Sequence, residues 1–430
     1  MKDYKNMSRE ELLSLKDQLT GEYEAIKQKG LSLNMARGKP SPSQLDLSMG
    51  MLDAVNSGSD VKANDGLDCR NYGEMDGIYE AKKLLGDMIG ACPENVIVCG
   101  NASLPIMYDT VARSMLSGVN GMTPWSKLDR VRFLCPVPGY DRHFAITENF
   151  GIEMINIPMD DNGPDMKLVK EYAENDETIK GIWCVPKYSN PTGITYSDEV
   201  VKAFANLKPK AHDFRIYWDN AYAVHDLYDN GGDKLLNILE ECSKAGNEDL
   251  VYEFCSTSKI SFAGSGIAGV ATSKANLEWI KKSMMIQTIG YDKINQLRHV
   301  LHFKDLNGIR KRMTEHASIT RPKFEAVYEC FERELAGLGI GTWTKPNGGY
   351  FISFNALPGC AKDIVARCRE AGMITTGAGA TYPYKKDPED KNIRIAPTFP
   401  SLSEIKTASE VFALCVKLSS IDKFLSDQEL

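Results

Sequence analysis

Leu250-Val251-Tyr252-Glu253-Phe254-Cys255-Ser256-Thr257-Ser258-Lys259 joins an apolar run to a hydroxyl-rich segment that ends in a lysine. The run from Leu250 to Phe254 is short, apolar and rich in strand formers, and the small residues Ala263-Gly264-Ser265-Gly266 follow soon after. That combination predicts a strand buried in a sheet, followed by a loop. Lys259 then sits past the end of a strand. In open α/β sheets ligands bind outside the carboxyl ends of the strands, where an amine is desolvated and can act as a nucleophile. A lone lysine in a loop is ordinarily a solvated charge, so the rest of the chain has to supply the corroboration.

Further strands are expected at residues 95–99, 131–135, 153–157, 181–185, 214–218 and 269–272. Between them, helical spacing covers residues 77–89, the stretch opening at Ser103, 197–207 and 235–244. Strand alternating with helix predicts a mostly parallel sheet with helices on both faces. Residues 8–29 read as an amphipathic helix with Ser8 as N-cap and Leu12, Leu15, Leu19, Tyr23 and Ile26 on one stripe. Beyond Asn276 the pattern is helical through Val300 and again over 313–338. The tail, with strands at 348–354 and 393–395 and helices at 364–370 and 403–419, predicts a smaller α+β unit. The expected organisation is therefore an N-terminal helix and arm over residues 1–60 that joins the small unit, a large unit over 61–305 and a small one over 306–430.

Gly100-Asn101-Ala102-Ser103 closes one strand and opens a helix, and the unpaired N–H groups of a first helical turn are suited to an anion such as phosphate. Arg37-Gly38-Lys39-Pro40 lies in a turn-rich stretch expected to form a loop over a site. Gly264-Ser265-Gly266-Ile267-Ala268-Gly269 matches the spacing of a dinucleotide fingerprint, but it leads into a strand instead of opening a helix, which argues against a nicotinamide site.

The chain has 430 residues and a net charge of −7, with 43% hydrophobic and 25% charged residues. This is the composition of a globular protein of more than one domain. The basic residues do not cluster, which argues against a nucleic-acid partner, and no apolar run reaches membrane-spanning length. Eleven cysteines are scattered without metal-binding spacing, and the charged N-terminus lacks a signal-peptide core. Reduced, mostly buried thiols and a cytoplasmic location are expected.

Four motifs then occur in a telling order: Asn190-Pro191-Thr192-Gly193, Asp219-Asn220-Ala221-Tyr222, Ser256-Thr257-Ser258-Lys259, and Arg394 in the small unit. Over nearly its whole length the chain resembles the fold-type I pyridoxal-phosphate aminotransferases of the aspartate aminotransferase superfamily. The resemblance implies that Lys259 holds pyridoxal 5′-phosphate as a Schiff base and moves the proton at the substrate's Cα. It implies that Asp219 faces the pyridine nitrogen and that Tyr222 and Asn190 hydrogen-bond the phenolic oxygen. Tyr140 would stack on the ring. Asn101, Ala102 and Ser103, with Ser256 and Ser258, would take the phosphate. Arg394 would clamp the substrate α-carboxylate, with Asn190 and Gly38 completing the substrate contacts. Tyr72 matches a tyrosine that relatives supply from the partner subunit, which implies a homodimer.

One position departs from the pattern. Relatives carry an arginine eight residues after the lysine, and here that residue is Ile267. Arg37, Lys39 and the basic group around Lys293 are candidate replacements. The segments around Lys187 and Lys293 look like those of the divergent bacterial class Ic aspartate aminotransferases. Transamination between aspartate and 2-oxoglutarate is the expected activity, with Lys293 or Arg298 as candidates for the distal carboxylate. The alternatives are another amino donor, a β-eliminating lyase on the same cofactor, and a ligand-sensing regulator; no basic two-helix unit precedes Tyr72 to support the last.

Overall fold

A computed structural model of the chain describes residues 2–229 and 232–428. Its centre is an eight-stranded sheet. From one edge to the other the strands are Val96–Val98, Ala268–Ala271, Val251–Ser256, Arg215–Asp219, Ile179–Cys184, Arg132–Val137, Glu153–Asp160 and Gly163–Pro164. The five from Val251–Ser256 to Glu153–Asp160 are mutually parallel, while Ala268–Ala271 runs against both its neighbours. The expected mostly parallel sheet is what the chain forms.

Both faces of that sheet are covered, so its central strands are apolar at successive positions. Alternation still sorts them. Ile182, Ile216 and Trp218 point into one core with Phe204 and Ile238, whereas Trp183, Tyr217 and Tyr252 point into another with Phe133 and Met107. The register pairs Ile182 with Ile216 and Trp183 with Tyr217, so each layer continues from strand to strand.

The N-terminal helix is Arg9–Gln28, held at its start by a capping box between Ser8 and Glu11. Such a cap contributes about 1 kcal/mol. Its buried Leu12, Leu19 and Tyr23 join Phe324, Phe331, Phe354, Phe412 and Leu418 in one core, so the first helix packs on the C-terminal part of the chain. There a second sheet of Gly341–Trp343, Ile352–Ala356 and Asn392–Ile395 is backed by the helices Leu306–Glu334 and Leu402–Asp427. Met51, Ile309 and Met313 pack instead with Leu84 and Leu297 under the large sheet, so the joining segments serve both cores.

Two features differ from the sequence expectation. The long helical stretch after Asn276 is three helices, Lys274–Gln287, Lys293–Phe303 and Leu306–Glu334, the last two opened by N-caps Asp292 and Asp305. Residues 33–34 pair in parallel with residues 373–374, which anchors the Arg37-Gly38-Lys39 loop where it leaves the small unit.

Candidate active site

Five turns at the carboxyl ends of the large sheet's strands converge on one cavity of about 490 Å³. Asp219 is the last residue of its strand. Lys259 follows Val251–Ser256 by three residues, Asn190 lies beyond Ile179–Cys184, Tyr140 beyond Arg132–Val137, and Ser103 beyond Val96–Val98. This is where an open parallel sheet places a ligand. Thr375, Thr376, Phe351 and Arg394 from the small unit and Ala36 to Lys39 from the N-terminal loop complete the lining.

Asp219 is buried. Its Oδ2 is 3.0 Å from His143 Nε2, and its Oδ1 has no hydrogen-bond partner among the described residues. Leaving a buried carboxylate oxygen unpaired costs a few kcal/mol, so the position is built for a donor that the chain does not itself supply. His143 is stacked on Trp183, ring centroids 4.5 Å apart, and packs edge-on against Tyr140 at 4.9 Å. His143 therefore fixes the carboxylate from behind. Only its position one helical turn after Tyr140 hinted at this from sequence.

The Lys259 amine lies 4.9 Å from the centre of the Tyr222 ring. Burial lowers its pKa from the ordinary lysine range, while the Asp219 charge pulls the other way. The result is an amine more often neutral than a solvated one. Tyr222 is buried, and desolvation, followed by neighbouring Tyr140 and the Asp219 carboxylate, raises its hydroxyl well above the usual value.

Arg394 is buried on the strand Asn392–Ile395, its guanidinium 4.9 Å from the centre of the Phe351 ring. Nη1 donates to Asn190 Oδ1 at 3.1 Å and to Asp141 Oδ1 at 2.8 Å, and Nε donates to Thr376 Oγ1 at 3.3 Å. Asn190 thus turns its carbonyl to the arginine and keeps its amide nitrogen for another partner. Gly38 packs so closely on Phe351 that a Cβ there would overlap the ring.

At the other end, the helix Ser103–Ser117 has Ala102 as N-cap and no side-chain cap, so its first N–H groups are free for an anion. Ser258 Oγ donates to Asn101 O at 2.8 Å, which ties the lysine loop to this helix start. A Cβ on Gly266 would come within 3.0 Å of Asn101 O and 3.1 Å of Ser258 N, so a side chain there would crowd this cradle. Ser256 is buried beside it. An unpaired carboxylate oxygen, a desolvated amine and an uncapped helix start fit the nitrogen, aldehyde and phosphate of a pyridoxal phosphate.

Ile267 is 1% exposed in the core formed with Leu85, Val98 and Cys255. Its backbone pairs with Thr257 through N–H to Thr257 Oγ1 at 2.9 Å. Ile267→Arg should cost about 3–5 kcal/mol, because it would leave an uncompensated charge in an apolar core. Chemical denaturation checks this, and a variant as stable as the parent would show that the position opens toward the phosphate cradle.

Lys293 and Arg298 do not line the cavity. Lys293 is buried and donates to Gly73 O at 2.8 Å, while Arg298 donates to Ser265 Oγ at 2.7 Å. Arg37, Lys39 and Arg142 do line it, and Arg142 was not singled out by sequence. Lys39 also packs over the Phe399 ring at 3.9 Å. Tyr72 is 77% exposed and lies outside the cavity of its own chain.

The family model for aspartate amino-transferase matches residues 7–428. An aspartate aminotransferase of Corynebacterium glutamicum is 43% identical over 94% of this chain and 93% of its own length. The crystal structure of an aspartate transaminase from that organism superposes with a TM-score of 0.95 at 41% identity, covering 98% of this chain and 99% of the other. The α-aminoadipate aminotransferase of Thermus thermophilus, solved with N-(5′-phosphopyridoxyl)-L-leucine, shares the fold at 17% identity, with a TM-score of 0.72 over 94% of this chain and 95% of its own. A site assembled at the strand ends and a match along nearly the entire length lead to one conclusion: the chain belongs to the aspartate aminotransferase family.

Proposed function

We propose that this aminotransferase moves the amino group of aspartate to 2-oxoglutarate with pyridoxal 5′-phosphate held covalently by Lys259. The observation that carries the reading is the buried, unpaired Oδ1 of Asp219 on the wall that Lys259 and Arg394 share. When bound, the cofactor supplies a protonated ring that accepts the electron pair left as the substrate's Cα proton departs.

Lys259, lowered in basicity by burial, would take that proton from the substrate's Cα and hand it to the cofactor's aldehyde-derived carbon. Asp219, steadied by His143, keeps a proton on the ring nitrogen. Tyr222 and the free amide of Asn190 donate to the phenolic oxygen, and Tyr140 covers the ring. The turn at Asn101, Ala102 and Ser103, with Ser256 and Ser258, receives the phosphate. Arg394 holds the α-carboxylate, with Asn190 and Gly38 shaping its surroundings.

A dicarboxylate needs a second cation. Arg37 and Arg142 line the mouth of the cavity with no side-chain partner among the described residues, which makes them better candidates than Lys293 or Arg298. Adding aspartate to the holoenzyme should convert the cofactor's visible absorbance to that of its amine form, and 2-oxoglutarate should restore it. An unchanged spectrum with aspartate would exclude it as donor.

A homodimer with Tyr72 reaching the partner's cavity accords with the surface around that residue. Met285, Ile286 and Ile289 are 66%, 91% and 63% exposed, and neighbouring Gly290 packs against Gly73. We also assign residues 61–305 to the large unit and 1–60 with 306–430 to the small one. All eleven cysteines are free and only Cys92 is exposed, which suits a reducing, cytoplasmic setting. Among the described residues no helix is long and apolar enough to cross a membrane, and no group of side chains could hold a metal.

A further inference from the structure

Asp141 is the first residue of the helix Asp141–Asn149, following the ring-covering Tyr140. An acid in a first helical turn is commonplace, since it complements the helix dipole. This one also reaches out of its own helix. Its Oδ1 accepts from Arg394 Nη1 at 2.8 Å, across 253 residues of sequence, and its side chain is 35% exposed against 8% for the arginine. Asn190 Oδ1 shares the same nitrogen, and Nε donates to Thr376 Oγ1.

Arginine binds a carboxylate best by two parallel N–H bonds, and a second carboxylate drawn to this guanidinium would meet the Asp141 charge beside it. We propose that Asp141 is a specificity-determining competitor, an internal carboxylate on Arg394 that a substrate carboxylate must displace. This rests on the reading of Arg394 as the α-carboxylate clamp. Amines without a carboxyl group have nothing with which to replace Asp141, so the pair selects for 2-amino and 2-oxo carboxylates. The selection costs affinity, because apparent binding is reduced by the fraction of molecules in which the arginine is available. Once displaced, Asp141 stays at a helix start, where its charge is well accommodated.

The test is calorimetric titration of the holoenzyme with succinate and with propionate, neither of which has an amino group to transfer. Asp141→Asn and Asp141→Ser should each tighten both ligands, by about five- to tenfold, and lower KM for amino donor and oxo acceptor alike. Two substitutions of different size guard against a folding defect peculiar to one. Weaker or unchanged binding in both variants would overturn the proposal and make the ion pair a device that orients Arg394. Tightening for succinate alone would also overturn it, since Asp141 would then be repelling the distal carboxylate. Arg394→Gln should abolish propionate binding, and if it does not, the clamp reading itself fails. A wild-type holoenzyme that binds succinate but gives no spectral change with aspartate would count against the proposed activity and leave the competition standing.

Discussion

Lys259→Ala is expected to lower turnover by about 10⁴-fold while the protein stays folded. General acid–base catalysis by a positioned side chain contributes up to about 10⁴-fold, and in the proposed mechanism the same amine also forms the covalent link to the cofactor. Among the described residues Lys39 is the other amine lining the cavity, and it packs over Phe399, while Lys293 is engaged with Gly73 O. The loss should fall on kcat. The alanine variant should carry no cofactor that borohydride can fix to the chain, whereas the parent should carry one per subunit, read by mass. Lys259→Arg should be as inactive, because a guanidinium does not become neutral at working pH.

Stability should move the other way. Burial depresses the folded-state lysine, so in the apoenzyme the unfolded chain binds more protons and stability rises with pH, between that lowered value and the ordinary lysine range. Lys259→Ala should remove this slope and leave the apoenzyme at least as stable near neutral pH. Normal activity in the alanine variant would overturn the assignment.

The parallel sheet was legible because its strands announce themselves one at a time. Ile182, Trp183, Tyr217, Trp218 and Tyr252 are apolar on both faces, and each run ends in turn residues that the helices follow. Glu253 tested that rule, since a charged residue sits mid-strand. It is buried, bonded to Asn220 Nδ2 at 2.9 Å, and its carboxyl is pushed up to about 8 by desolvation, so it need not carry a charge there.

What stayed hidden lacked a local signal. The pairing of residues 33–34 with 373–374 is too short for periodicity. The break before Lys293 was masked because Ile286 and Ile289 prolong the apolar pattern, although the fold exposes both. Motif order brought Asn190, Asp219, Tyr222, Lys259 and Arg394 to attention, and the structure places them around one cavity. The residues that hold them were not visible in this way. His143 meets Asp219 across 76 positions and Asp141 meets Arg394 across 253, and no spacing rule reaches that far. The third partner, Thr376, lies on a loop without regular structure.

Asp219→Asn is expected to reduce kcat by about 10²–10⁴-fold with a much smaller change in KM. The substitution keeps the size and a hydrogen-bonding oxygen but removes the charge that would hold a proton on the ring nitrogen. Losing one partner of a buried ion pair costs about 3–5 kcal/mol, and each 1.36 kcal/mol is tenfold in rate if it falls on the transition state. It should fall there, because the ring needs its proton most when electrons flow into it. In the proposed mechanism substrate binding rests on Arg394, whose bonds to Asn190 and Thr376 do not involve Asp219. His143 discriminates this from a packing effect. It reaches Asp219 through one bond, stacks on Trp183 and packs edge-on against Tyr140. His143→Gln should therefore keep the carboxylate and lose only its orientation, with a fall in kcat well short of that for Asp219→Asn. Equal losses in the two variants would place the essential group on the histidine, and an Asp219→Asn enzyme with parental kcat and raised KM would remove Asp219 from the chemistry altogether.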